Sequence, residues 1–220
     1  MTKNVIFCDF DGTITNNDNI IAIMKKFAPP EWLALKDGVL SQQISVQEGV
    51  GKMFALLPSS LKEEIIRFLK ETASIRSGFQ EFVRYAEGNG YELFIVSGGI
   101  DFFVYPLLEG LVPPERIYCN GADFSGETIK ILWPHECDEQ CDNGCGCCKP
   151  SLLRKLTSKE DYKLVIGDSV TDLAISQLAD QVIARDFLLE KCRELGFPHK
   201  EFVTFHDVME FLEKKAEVGI

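Results

Sequence analysis

Three short apolar runs, each cut off by small and acidic residues, constrain this chain more than any other feature. Val5-Ile6-Phe7-Cys8 stops at Asp9-Phe10-Asp11-Gly12-Thr13, Leu93-Phe94-Ile95-Val96 at Ser97-Gly98-Gly99, and Leu164-Val165-Ile166 at Gly167-Asp168-Ser169. Runs this short, partly β-branched and without polar alternation, read as strands buried on both faces. The pattern predicts strands at 4–10, 91–96, 117–120, 163–166 and 182–184, with helices at 79–87, 101–111, 150–156, 171–178 and 186–195 between them. Residues 123–124 and 128–132, around Ser125-Gly126-Glu127, read as a hairpin. Beyond residue 195 the pattern assigns no element. Strand and helix in alternation give an α/β fold with a doubly wound, Rossmann-like parallel sheet.

The alternation is interrupted once. Residues 17–73 contain no strand pattern and read as a small all-helical unit inserted after the first strand. Ile20, Ile21, Ile23, Met24 and Phe27 fall at helical spacing, and Pro29-Pro30 stops that helix. Ser45-x-x-Glu48 and Ser60-x-x-Glu63 look like capping boxes opening two more. The domain division expected is therefore a core of residues 1–16 and 74–220 with a helical cap at 17–73.

Composition narrows the partners. The chain has 220 residues and a formal net charge of -11, which disfavours nucleic acid and anionic membrane surfaces. The apolar run before Asp9 is too short for a secretion signal, and no stretch approaches a bilayer span. The expectation is a cytoplasmic protein, in which the eight cysteines stay unpaired.

In an open parallel sheet, ligands bind beyond the carboxyl ends of the strands. All three polar clusters would face that one crevice, bringing Asp9, Asp11, Asp168 and Asp172 together. Clustered carboxylates repel one another unless a cation holds them, and oxygen donors suit magnesium. Lys149, opening a helix, is the nearest cation for a phosphate, and Gly12, Gly98 and Gly99 allow main-chain amides to approach an anion. Asp-Gly and Ser-Gly pairs are also ordinary turn residues. Three clusters in order behind apolar strands, with a lysine between the last two, are not explained that way.

Asp9 to Thr13, Ser97, Lys149 and Gly167-Asp168-Ser169-Val170-Thr171-Asp172 resemble, in order, the four motifs of the haloacid dehalogenase superfamily. The likeness covers nearly the whole chain. The resemblance implies a magnesium-dependent phosphatase acting on a small phosphorylated metabolite. It casts Asp9 as nucleophile and Asp11 as acid and base. Asp9, Asp168 and the main-chain oxygen of Asp11 would be the metal ligands, with Asp172 supporting them. Gly12, Ser97, Gly98 and Lys149 would hold the phosphoryl oxygens. Longer stretches, among them Phe27-Ala28-Pro29-Pro30-Glu31-Trp32 and Cys145-Gly146-Cys147-Cys148-Lys149-Pro150, resemble a bacillary branch of that family acting on an enol phosphate. The phosphoserine-cleaving branch is the rival, but its carboxylate-binding arginine has no counterpart in residues 46–54, where Lys52 is the one basic residue. Hydrolysis and transfer of the phosphoryl group to another hydroxyl are both open at this point, as is the oligomeric state, a homodimer included.

Two further features remain. Phe27, Trp32, Met53 and Phe54 either pack the helical unit or face the site. His135, Cys137, Cys141, Cys145, Cys147 and Cys148 crowd one loop before Lys149, and a structural metal, disulfides or free thiols all fit that composition. Cys8, Cys119 and Cys192 read as buried apolar residues, and His199 and His206 as surface residues.

Overall fold

In the computed structural model, which describes residues 2–218, seven strands form one sheet in the order β4-β3-β2-β1-β5-β6-β7. β1 (Asn4–Cys8) lies at the centre, paired in parallel with β2 (Tyr91–Ile100) and β5 (Tyr162–Gly167). β3 (Ile117–Asp123) and β6 (Gln181–Ala184) extend the sheet in parallel on either side, and β7 (His199–Glu201) closes one edge. Only β4 (Lys130–Leu132), the second arm of the expected hairpin, runs antiparallel.

The unbroken hydrophobicity of β1 has a simple cause. Successive side chains point to opposite faces, and both faces are covered. Ile6 and Cys8 enter one apolar cluster with Phe79, Phe82, Phe103 and Phe205, whereas Val5 and Phe7 enter a second with Leu152, Leu153 and Ile175. The covering helices are α5 (Phe79–Gly88), α6 (Asp101–Leu108) and α10 (Phe205–Val218) on the first face. On the second lie α7 (Lys149–Leu156) and the short α8 (Leu173–Ser176). α9 (Asp186–Leu195) packs beside β6 and β7.

Between β1 and α5 stand α1 (Asn19–Phe27), α2 (Trp32–Leu40), α3 (Val46–Phe54) and α4 (Lys62–Thr72). The chain leaves and returns through a short stem, where Thr15 bridges Ile75 and the Asn16 amide donates to the Ser74 carbonyl. Trp32, Met53 and Phe54 are buried in the same apolar cluster as Phe102 and Phe103, and Phe27 packs against its edge. All four aromatic and thioether candidates are therefore packed within the protein. Among the described residues, no helix is long and apolar enough to cross a membrane.

Local details depart from the sequence reading. Ser45 caps α3 by accepting from the Glu48 amide, but the Glu48 carboxylate turns to Lys52 at 2.5 Å rather than back to the cap. Ser60 caps nothing; it lies inside a 3-10 turn, Ser59–Leu61, that leads directly into α4. β2 does not end at Val96. It continues to Ile100 through a register shift against β3 between Val96 and Ile100, so Ser97-Gly98-Gly99 forms a bulge rather than a turn. α6 stops at Leu108 rather than 111, and the helix expected at 171–178 is a 3-10 turn followed by α8. β7 and α10 go unassigned in the sequence pattern. β7 is three polar residues, too short for a period. α10, however, does carry a start signal, since Asp207 accepts from the Val203 and Thr204 amides.

Candidate active site

Parallel pairing in register places the three polar clusters side by side. Cys8 sits opposite Ile95 on β2 and Ile166 on β5, and the Asp9 amide donates to the Ile166 carbonyl at 2.9 Å. Asp9 thus leaves the central strand between the Ser97 bulge and the Gly167-Asp168 turn. The second residue after it, Asp11, is carried round a sharp bend by Gly12, whose φ is +81°. A Cβ on Gly12 would fall 2.3 Å from Asp168 Oδ2, so a side chain there is excluded by both backbone strain and contact.

Lys149, the first residue of α7, is the hub. Its Nζ donates to Asp9 Oδ1 and to Asp172 Oδ1, the latter at 2.6 Å, and all three groups are buried. Burial alone would lower the lysine pKa, but the charges of Asp172 and Asp9 more than offset it and hold the ammonium protonated. The other oxygen of Asp172 accepts from the amides of Asp168 and Ser169 at 3.2 and 3.1 Å, fixing the turn after β5. Asp168 is oriented from across the crevice by the Thr13 hydroxyl, which donates to it at 2.9 Å.

Positive charge is in short supply. Burial, and then the Asp172 charge, pushes Asp9 well above the ordinary carboxylate range, with Lys149 opposing. Burial and Asp172 push Asp168 up to about 6. Oxygens of Asp9, Asp168 and Asp172 lie within 4.8 Å of one another. A compact set of hard oxygen donors, destabilised by mutual repulsion, is what a divalent cation such as magnesium would relieve. Asp11 stands outside that set. Its Oδ1 accepts from both the main-chain and the side-chain nitrogen of Asn19, at 2.9 and 2.7 Å. Burial, with the Asp18 charge adding to it, raises the Asp11 carboxyl to about 7, within the range where a group can give and take a proton at neutral pH.

The remaining groups expected to hold an anion lie on the bulge. Ser97 Oγ accepts from the Gly99 amide at 2.9 Å, so its own hydrogen is free to donate elsewhere. A Cβ on Gly98 would meet open space. Asn120 steadies the bulge by donating to the Gly98 carbonyl at 2.8 Å. In the cysteine loop, the sulfurs of Cys137, Cys141, Cys145 and Cys148 converge within 4.8 Å. His135 stacks edge-on against Tyr118 and Cys147 Sγ points to the Tyr118 carbonyl, so both stand outside that group.

Sequence reasoning overlooks three supporting residues: Asn19, Asn120 and Arg76. Arg76 is buried, yet it bonds main-chain oxygens rather than carboxylates. Its Nε donates to Thr13 O at 2.6 Å, and its terminal nitrogens donate to Gly12 O, Val203 O and Thr15 O at 2.7, 3.3 and 3.4 Å. No spacing rule signals such a clamp, because its partners are carbonyls 61 to 127 residues distant. Arg76→Met is expected to cost about 3 kcal/mol, read as a lowered denaturant midpoint, because it strands several buried carbonyls at once.

This geometry agrees with what comparison with known proteins finds. The family model for haloacid dehalogenase-like hydrolases matches residues 6–177. The chain belongs to that family. It is 69% identical over 215 residues to a 2-hydroxy-3-keto-5-methylthiopentenyl-1-phosphate phosphatase of Geobacillus kaustophilus, covering 97% of this chain and 98% of the relative. It is 58% identical over 219 residues to a protein of the same name from Bacillus velezensis, covering 99% and 94%. Among solved structures it resembles phosphoserine phosphatase from T. onnurineus, with a TM-score of 0.72 and 18% identity over 96% of this chain and 94% of that one. At that identity the likeness speaks for the haloacid dehalogenase-like fold alone.

Proposed function

We propose that this chain is a magnesium-dependent phosphatase converting 2-hydroxy-3-keto-5-methylthiopentenyl-1-phosphate to 1,2-dihydroxy-3-keto-5-methylthiopentene, a step of methionine salvage. The observation that carries the reading is its full-length identity of 69% to a phosphatase of that name, supported by the grouping of Asp9, Asp168 and Asp172 beside Lys149. The phosphoserine reading rests on fold likeness alone, and among residues 17–73 the one arginine, Arg67, is exposed on α4. The same reading places the enzyme in the cytoplasm.

The chemistry follows from the groups present. An Asp9 carboxylate oxygen attacks phosphorus, and the bond from phosphorus to the enol oxygen breaks. Asp11 gives its proton to the departing oxygen. Water then attacks the aspartyl-phosphate, Asp11 takes a proton from it, and Asp9 is released as a carboxylate together with inorganic phosphate. Lys149, the Ser97 hydroxyl and the Gly98 amide hold the phosphoryl oxygens in line throughout. Asp9, Asp168 and the Asp11 main-chain oxygen would hold magnesium, supported by Asp172. When bound there, the ion supplies the charge that lets an anionic nucleophile approach a phosphate dianion. Residues 17–73 serve as the cap over the crevice.

Asn19 positions the acid. Asn19→Ala removes the side-chain amide that donates to Asp11 Oδ1 and keeps the main-chain donor, and we expect kcat to fall by about 10- to 100-fold with little change in KM. An equal rise in KM and unchanged kcat would assign Asn19 to substrate binding instead.

The deciding experiment measures phosphate release from the enol phosphate, generated in place by its upstream enolase, and from phosphoserine, each with magnesium and with chelator. Release from the enol phosphate that chelator abolishes is expected. Preference for phosphoserine would overturn the substrate, activity in chelator would overturn the metal, and transfer to added alcohols in place of water would make the chain a phosphotransferase.

A further inference from the structure

The loop between β4 and α7 brings together four thiols that the phosphoryl chemistry does not use. Cys137, Cys141, Cys145 and Cys148 come within 4.8 Å of one another around a common centre, and the Cys141–Cys145 sulfur separation is 3.8 Å. In a tetrahedral tetrathiolate with zinc–sulfur bonds of about 2.3 Å, adjacent sulfurs stand roughly 3.8 Å apart. The spacing also fits. Cys137-x-x-x-Cys141 and Cys145-x-x-Cys148 are two short ligand pairs of the length used by structural zinc sites. Gly146, at φ +79°, turns the chain between the last two ligands so that Cys147 points away from the centre.

The surroundings are those of a ligand shell rather than of loose thiols. The Ser151 hydroxyl donates to Cys148 Sγ at 2.9 Å while accepting from the Asp138 amide at 2.9 Å. Arg154 grips Asp138 with two donors at 2.7 and 2.5 Å, an ion pair that fixes this end of the loop against α7. Cys148 also occupies the N-cap position of α7, so this ligand stands at the positive end of that helix. Such outer partners orient ligands and offset the charge of a thiolate centre. Soft sulfur donors select zinc over magnesium.

We propose that Cys137, Cys141, Cys145 and Cys148 bind one structural zinc ion as thiolates, their protons being released as the ion enters. The ion ties the loop to the start of α7, one residue before Lys149. The same loop reaches the helical unit, since the Gln47 amide of α3 donates to the Gly144 carbonyl at 3.0 Å. The zinc centre therefore braces the lysine hub and the seat of α3 together.

The test uses untagged, full-length protein dialysed against excess magnesium, which displaces zinc from carboxylates but not from thiolates. Elemental analysis is expected to give one zinc per chain. Cobalt exchange should give strong visible bands and thiolate-to-cobalt charge transfer, the signature of tetrahedral sulfur ligation. Cys141→Ser and Cys145→Ser should lose the ion, whereas Cys147→Ser should keep it. Reduced protein that takes up neither zinc nor cobalt would overturn the proposal, as would an intact mass showing paired hydrogen loss from disulfides. Weak, six-coordinate cobalt bands would also overturn it by placing the ion on oxygen. The cobalt spectrum of the wild-type chain decides the matter even if the serine variants fail to fold.

Discussion

Asp9→Asn will lower phosphate release by roughly 10⁴-fold or more while leaving the thermal transition close to that of the wild type. The substitution keeps shape and a carbonyl oxygen for Lys149, so the buried cluster stays packed. It removes the carboxylate proposed as the nucleophile, and an amide is too weak a nucleophile to attack phosphorus. Acid-quenched wild-type protein, mixed briefly with substrate labelled at phosphorus, is expected to carry label that hydroxylamine releases; the variant should carry none. Turnover retained within tenfold, in a variant that melts normally, would remove Asp9 from the nucleophile's place.

Lys149→Met combines a catalytic and a structural loss. Lys149 is buried between Asp9 and Asp172, and removing one partner of such a cluster costs about 3–5 kcal/mol. The deficit depends on pH, and its sign can be worked out for protein held in chelator. The Asp9 carboxyl already lies above its ordinary range in the folded state, and loss of Lys149 raises it further. A carboxyl whose folded pKa exceeds its unfolded one binds more protons when folded, so stability falls as pH rises through that interval. The variant should therefore trail the wild type most at mildly alkaline pH and recover as pH drops toward the folded carboxyl pKa. Denaturant midpoints across that range are the measurement. A deficit independent of pH would mean that lost packing, not stranded charge, is the cause. Activity should also fall, through loss of the phosphoryl anchor.

How far the sequence discloses this molecule depends on what each residue bonds to. The sheet is legible because β1 and β5 are covered on both faces, which leaves uninterrupted apolar runs, and because each run ends where chemistry begins. Asp9, Asp11, Asp168 and Asp172 are legible as a group for the same reason. The bulge at Ser97 is not, since glycine after serine reads equally well as a turn; only pairing with β3 shows the strand continuing to Ile100. Arg76, Asn19 and Asn120 act through main-chain atoms or through one partner side chain, and such contacts leave no period or spacing. The four-sulfur group is half legible. Six candidate side chains crowd one loop in the sequence, and only the fold separates the four that converge from Cys147 and His135.

The placement of β1 also has a consequence for how the chain is made. β1 leaves the ribosome before its neighbours β2 and β5, and Asp9 meets Lys149 across 140 residues while Thr13 meets Asp168 across 155. Contacts at such separations close late and slowly. Until α7 and β5 emerge, Val5 to Cys8 has no cover on one face and an unpaired edge, a sticky segment of the kind that draws nascent chains into aggregates. The early helices α1 to α4 carry apolar partners for each other in the meantime. A chain truncated before β5 would be an aggregation-prone fragment rather than a weak enzyme, and the whole chain an expected client of chaperones during synthesis.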